Sequence, residues 1–189
     1  MTREEMARLI AEGLIETGIE GGYDAVSCST AGDYPSLGVS QWEGGRADDL
    51  LRMIPGGSKY VGREYSDIEE SDEIEALSEL LDSPEGQEAQ IQKLSEDCLD
   101  YVDEILDVAG FDEPASIIYA GMWCPTSTSV VCRFVYNRLR RGYDMNDLEV
   151  CAETFRDEYA EAAACEEYAD GYANRAERTL EYVAELGIG

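Results

Sequence analysis

Residues 19–42 read IEGGYDAVSCSTAGDYPSLGVSQW, and this stretch decides the fold class. Before it, Thr2 and Glu5 have the spacing of a capping box, and Met6, Leu9, Ile10 and Leu14 recur at helical intervals. A first helix is therefore expected to run to Glu16 or Thr17, with Gly18 ending it. Within the stretch the helical period stops. Gly, Ser, Asp and Pro punctuate short pieces such as Ala25-Val26 and Leu37-Gly38-Val39, which predicts irregular chain or a short β-hairpin. From Arg46 onward the helical pattern returns, over about 46–54, 72–81, 85–109, 114–122, 128–141, 147–164 and 166–186. Asn146 with Glu149 predicts a second capping box, and Ser83-Pro84 the start of the long central helix. Pro125 predicts a break before the apolar stripe Val130, Val131, Phe134, Val135 and Leu139. No repeat or low-complexity linker divides the chain. The expectation is one mostly α domain over 1–189, with an opening block of about 1–60 and a helical remainder over 64–189.

The 189 residues include 42 Asp and Glu against 14 Lys and Arg, and no His, for a formal charge of −28. An apolar share of 44% is that of a folded chain, so the acidity does not imply disorder. Without His, a Ser-His-Asp or Cys-His nucleophile, a His-ligated zinc and an imidazole base are all excluded. Chemistry is left to carboxylates, Tyr, Ser, Thr and Cys, and neither a metal nor a cofactor is expected. The charge repels nucleic-acid phosphates and acidic membranes, so neither is an expected partner. No run of 18 apolar residues occurs, and the N-terminus MTREEMARLI is acidic and amphipathic. The expectation is synthesis in the cytoplasm without a signal peptide.

The block from Glu64 to Glu113 is densely acidic, yet Ile74, Leu77, Leu80 and Leu81 keep helical spacing within it. It is read as a set of solvated helix faces, with a basic protein partner as the functional alternative. The six cysteines (Cys28, Cys98, Cys124, Cys132, Cys151, Cys165) form no CxxC pair, and free thiols are expected. Cys132 and Cys151 fall among apolar residues and are read as small core residues. Arg133, Arg138, Arg140 and Arg141 make the one cationic cluster. At a helix end they complement the dipole, and neutralisation by acidic neighbours is expected, with a wall-anion or partner site as the alternative.

Glu20-Gly21-Gly22-Tyr23-Asp24-Ala25-Val26, followed by Ser36-Leu37-Gly38-Val39-Ser40-Gln41-Trp42 and by Gly44, Arg46, Ala47, Leu50 and Leu51, resembles the lysozyme-like superfamily. The nearest likeness is to the small peptidoglycan hydrolases of phage endolysins and bacterial walls, which pair E-G-x-Y-x-x-V with S-[IL]-G-x-x-Q-W. A weaker likeness continues through LLDSPEGQEAQIQKLSEDCLDYV and Ile117-Ile118-Tyr119-Ala120, so that it spans most of residues 8–140. The resemblance implies an α+β lysozyme-like fold, with the catalytic block in the first 60 residues or so.

What the resemblance further implies is cleavage of the peptidoglycan glycan strand, as a muramidase-like glycoside hydrolase or a lytic transglycosylase. Such chemistry needs one carboxyl kept protonated near neutral pH to give its proton to the glycosidic oxygen. Glu20 takes that role, and its setting beside Ile19 and Trp42 under a large negative charge is expected to raise its pKa. Glu16, one helical turn earlier, is the rival acid, and an exposed helix-end carboxylate is the structural alternative for Glu20. Asp33 and Asp24 are candidates for a second carboxylate. Tyr23, Ser36, Gln41 and Trp42 are the candidate substrate-binding residues, with core packing the stronger reading for Trp42.

The chain departs from the family pattern in three places. Ser27 to Pro35 replaces an Asn-rich stretch, Glu43 stands where His is common, and Gly121-Met122-Trp123-Cys124-Pro125 replaces a polar wall. Two functions follow as expectations. One is a wall hydrolase, phage-encoded and released or delivered to the wall. The other is an inert lysozyme-like scaffold used as an acidic interaction or inhibitor protein that mimics nucleic acid.

Overall fold

The computed structural model describes residues 1–188. Helix accounts for 65% of the chain, in nine α-helices among the described residues, with one small antiparallel sheet. The chain folds as two compact units, one of residues 1–19 and 95–189, the other of residues 20–94. Among the described residues no helix is long and apolar enough to cross a membrane.

In the first unit, α1 (Arg3–Glu16) carries the expected capping box, with Thr2 Oγ1 accepting from Glu5 N at 3.1 Å and Glu5 Oε2 accepting from Thr2 N at 2.7 Å. Thr17 is the C-cap, and Gly18 follows at φ 69°. The centre of this unit is α6 (Pro114–Gly121), every residue of which from Ala115 to Gly121 is buried. Such a helix has no polar face because it is covered on all sides. A Cβ on Gly121 would lie 2.9 Å from Ile10 Cγ1, so glycine lets α1 and α6 approach closely.

The same unit contains α7 (Thr128–Arg140), α8 (Leu148–Ala162) and α9 (Glu166–Glu185). Trp123 is fully buried and stacks on Tyr159 at 4.5 Å and Phe155 at 5.8 Å between ring centroids, with the Arg175 guanidinium 4.4 Å from its ring centroid. Aromatic contacts of this kind, together with the area they bury, hold the unit together. Gly121 to Cys124 are all buried, so this segment builds a core and not a polar wall, and Pro125 after it is exposed.

The second unit contains the sheet. Strands β1 (Val26–Cys28), β2 (Pro35–Leu37) and β3 (Trp42–Glu43) run antiparallel in that order, with Ser27 opposite Ser36 and Leu37 opposite Trp42. The expected hairpin is thus a three-stranded sheet. Around it lie α2 (Gly44–Met53), a 3-10 turn at Gly57–Tyr60, α3 (Tyr65–Glu70) and α4 (Ile74–Asp82). The long α5 (Pro84–Leu106) begins as expected at Ser83-Pro84, where Ser83 Oγ accepts from Gly86 N at 3.1 Å. Helix α3 was not expected, because only Ile68 of its six residues is buried and no apolar period marks it.

One capping assignment is corrected. The N-cap of α8 is Asp147, whose carboxylate accepts from Glu149 N at 2.9 Å and Val150 N at 3.2 Å. Asn146 instead accepts from Asp112 N and Glu113 N and donates to Gly110 O, fastening the loop before α6. All six cysteines are free thiols. Cys151 is fully buried, whereas Cys132 is only half-buried; burial pushes both thiols up.

Within residues 20–94 the buried Gln90 of α5 ties three segments together. Its Oε1 accepts from Val39 N at 3.0 Å, and its Nε2 donates to Tyr23 O at 3.2 Å and Leu81 O at 2.9 Å. Gly38, at φ 66°, lies against this amide, and any Cβ there would strike Gln90 Oε1. Replacing a hydrogen-bonded side chain by an apolar one strands its buried partners at about 1–3 kcal/mol each. Gln90→Leu is expected to destabilise the protein by about 3 kcal/mol or more, measured by urea denaturation followed through tryptophan fluorescence.

Candidate functional site

The candidate residues lie before β1 (Glu20, Tyr23, Asp24), on the β1–β2 connection (Asp33), in β2 (Ser36), and in the following turn and β3 (Gln41, Trp42). Glu20 is half-buried and starts the segment leading to β1. The next residue fixes its place: Gly21 N donates to Val39 O at 2.8 Å, and Gly38 N donates to Ala25 O at 2.8 Å. Residues 20–26 are thereby laid along residues 37–39, and the two motifs separated in sequence become adjacent backbone. Tyr23 is half-buried, with its carbonyl held by Gln90.

Gln41 closes the turn from β2 to β3. It sits at φ 50°, a left-handed conformation uncommon outside glycine. Its backbone N–H donates to Gly38 O at 3.1 Å and its Nε2 donates to the same oxygen at 2.9 Å. Its Oε1 accepts from Ser27 Oγ of β1 at 2.9 Å and lies 3.2 Å from Ser36 Oγ of β2. The amide therefore clasps both strands and the turn, although the residue is exposed. Ser36 and Trp42 are each 3% exposed. Both are inside the fold, where Ser36 supports Gln41 and Trp42 packs beside Gly38, so they shape the loop from within.

The two candidate second carboxylates have different surroundings. Asp33 is exposed on the β1–β2 connection, and both its oxygens are engaged by Ser66 at the start of α3, Oδ1 from the backbone N at 2.9 Å and Oδ2 from the hydroxyl at 2.6 Å. These bonds stabilise the charged form and hold its carboxyl below the ordinary range. Asp33 is thus an ionised residue that caps a helix from a distance in sequence. Asp24 is exposed, and its carbonyl accepts from Ser78 Oγ at 2.7 Å.

Sequence reasoning missed a groove of about 260 Å³ beside Asp33, lined among others by Tyr34, Asp48, Arg63 and Glu64. Arg63 in turn pairs with Glu73 at 2.6 Å and Asp67 at 2.8 Å. The signal lay in Asp33 and Arg63, polar residues flanking short elements, but no periodicity joins them. Among the described residues no group of three or more Cys, Asp or Glu is placed to hold a metal ion.

The Arg cluster is only partly neutralised. Arg138 forks onto Glu158 Oε1 through Nε at 3.1 Å and Nη2 at 2.9 Å, as expected for a helix end with acidic neighbours. Arg133, Arg140 and Arg141 are exposed and have no ion pair among the described residues.

The lowered pKa of Asp33 fixes the sign of a pH effect. Its contribution to stability is present above the unfolded value of about 3.9 and is lost as pH falls through the lower folded value. Asp33→Asn is therefore expected to lower the melting temperature at pH 7, and the difference from wild type should shrink as pH falls below the unfolded value, as read by thermal melts across a pH series. Comparison with family models, with curated proteins and with solved structures finds no match to this chain.

Proposed function

We propose that the chain is a peptidoglycan hydrolase of lysozyme-like type, with Glu20 as general acid. The observation that carries this reading is the Gly21–Val39 hydrogen bond, which sets the E-G-x-Y segment beside the S-x-G-x-x-Q-W turn over a small antiparallel sheet. Glu20 is half-buried beside that turn, whereas Asp33 is held ionised and is no proton donor.

In this reading Glu20 protonates the glycosidic oxygen as the bond to the anomeric carbon breaks, and positive charge develops on the departing sugar ring. An ionised carboxylate can stabilise that cation or trap it covalently. Asp33 has the right charge for this and Asp24 the right exposure. Without either, an internal hydroxyl of the substrate closes on the cation and leaves an anhydro end, the outcome of a lytic transglycosylase. Tyr23 and the outer edge of Gln41 are the residues left to meet sugar, since Ser36 and Trp42 are buried.

A second reading is favoured by one observation. Glu69, Glu70, Glu75, Glu79, Asp82 and Glu85 are all exposed on α3, α4 and the start of α5. That acidic surface suits an inert scaffold that binds a basic protein, and a fold can be kept for such a role.

One experiment separates the two. Purified peptidoglycan is incubated with wild type and with Glu20→Gln, and the released products are identified by mass spectrometry. A loss of about 100-fold or more in muropeptide release with the fold intact is expected, the scale of a removed general acid. Reducing ends assign hydrolysis and anhydro ends assign transglycosylation. Equal activity of the two proteins, or none from either, overturns the reading.

A further inference from the structure

From Pro114 to Tyr143 the chain contains no Asp or Glu, although acids make up 42 of its 189 residues. The exposed residues of this stretch are Pro125 and Thr126, the outer face of α7 and the turn after it. Val131 and Val135 are buried on the opposite side. Arg133 and Arg140, seven residues apart, stand nearly in line along the exposed face and are separated by about 10 Å of helix rise. Tyr136 lies between them, 51% exposed, with the Arg140 guanidinium 5.6 Å from its ring centroid. Arg141 and Tyr143, the latter 47% exposed, extend the patch, and Arg138 lies 5.1 Å from the Tyr143 ring centroid.

Arg3, Arg8, Arg52, Arg63, Arg138 and Arg156 pair with carboxylates, whereas among the described residues Arg133, Arg140 and Arg141 have no ion pair. Glu104 and Asp107 act on Cys132 at one side of α7. A protein of −28 whose α7 carries no acid of its own and leaves three guanidiniums there without an ion pair presents a surface for an outside anion.

We propose that this face of α7 docks the peptidoglycan strand, with Arg133 and Arg140 gripping stem-peptide carboxylates and Tyr136 lying against the sugar between them. The inference rests on the hydrolase reading and names a second contact with the same polymer. Both chemistries of the patch are needed to choose the occupant. Guanidinium forks match carboxylates in two-point geometry, and exposed Tyr rings supply a flat amphipathic platform. A peptidoglycan strand offers a carboxylate-bearing peptide on every second sugar, so anionic groups recur once per disaccharide, a spacing comparable with that of Arg133 and Arg140. A polymer bearing phosphate alone would use the arginines and leave Tyr136 without a role.

The net charge gives this binding a distinctive salt response. At about 0.01 M salt the Debye length is near 30 Å, and the whole protein is repelled by an anionic wall. Near 0.1 M that long-range repulsion is screened while contacts at the arginines persist, and at about 1 M these weaken too. Bound protein should therefore rise and then fall as salt increases.

The test is co-sedimentation of the full chain with sacculi freed of attached wall polymers, before and after carbodiimide coupling converts their carboxylates to neutral amides. Arg133→Gln/Arg140→Gln is compared with the unsubstituted arginines, both on the Glu20→Gln background so that cleavage does not release the polymer, with folding checked by circular dichroism. The expected result is a fall of tenfold or more in binding for the arginine variant, and a similar fall for the unsubstituted arginines on amidated sacculi. Equal binding by the arginine variant, or equal binding to amidated sacculi, overturns the proposal. So does arginine-dependent binding that is tighter to a single-stranded oligonucleotide, or arginine-dependent self-association in sedimentation equilibrium. Docking through α7 without any Glu20-dependent cleavage would leave this surface standing and remove the hydrolase reading. Cleavage without an effect of the arginines would do the reverse.

Discussion

The region around the candidate site depends on one buried amide. Gln90 is wholly inaccessible and offers one acceptor and two donors, all of which are used on backbone groups of residues 23, 39 and 81. A buried polar side chain is stabilising only when every hydrogen-bonding group finds a partner, and this one does. The consequence reaches Gly38, which has to lack a side chain because the amide occupies the space a Cβ would take. It reaches residue 39 as well, since Val39 N goes to Gln90 while Val39 O goes to Gly21. A single glutamine thus sets where the turn stands, and the turn sets where the chain beyond Glu20 runs.

The helices were legible in the sequence because each has a buried stripe. Helix α4 buries Leu77 and Leu81, α7 buries Val131 and Val135, and the spacing alone places both within a residue or two. What was not legible is held by side chains acting over long separations in sequence. Helix α3 has almost no apolar period and is fixed at its start by Asp33, more than thirty residues away. The cap of α8 was misassigned by one residue because Asn146 and Asp147 are both good N-cap residues. Only the partner of Asn146, the backbone at residues 112 and 113, decides between them.

The same logic applies to the candidate site. Residue type and register alone point to Glu20, Tyr23, Asp24, Asp33, Ser36, Gln41 and Trp42, and they cannot separate a group that touches a ligand from one that builds the loop. Burial places Ser36 and Trp42 inside the fold, and hydrogen bonding ties Asp33 to the start of α3. Gln41 builds the loop from an exposed position, its amide consumed by Gly38, Ser27 and Ser36. A left-handed non-glycine residue is tolerated where the surroundings over-determine it, and here three hydrogen bonds do so.

Charge adds a second level of organisation. Most acids sit on solvated helix faces, where self-repulsion is limited by exposure and by pairs such as Arg52–Asp49 and Arg63–Glu73. Against that background an acid-free helix face is not a neutral feature. Arg138 is neutralised by Glu158, whereas Arg133, Arg140 and Arg141 have no ion pair among the described residues, so α7 carries local attraction within a generally repulsive surface. In the docking proposed for α7, that arrangement would discriminate against polyanions that need a broad cationic footprint and favour those that can be gripped at a few points.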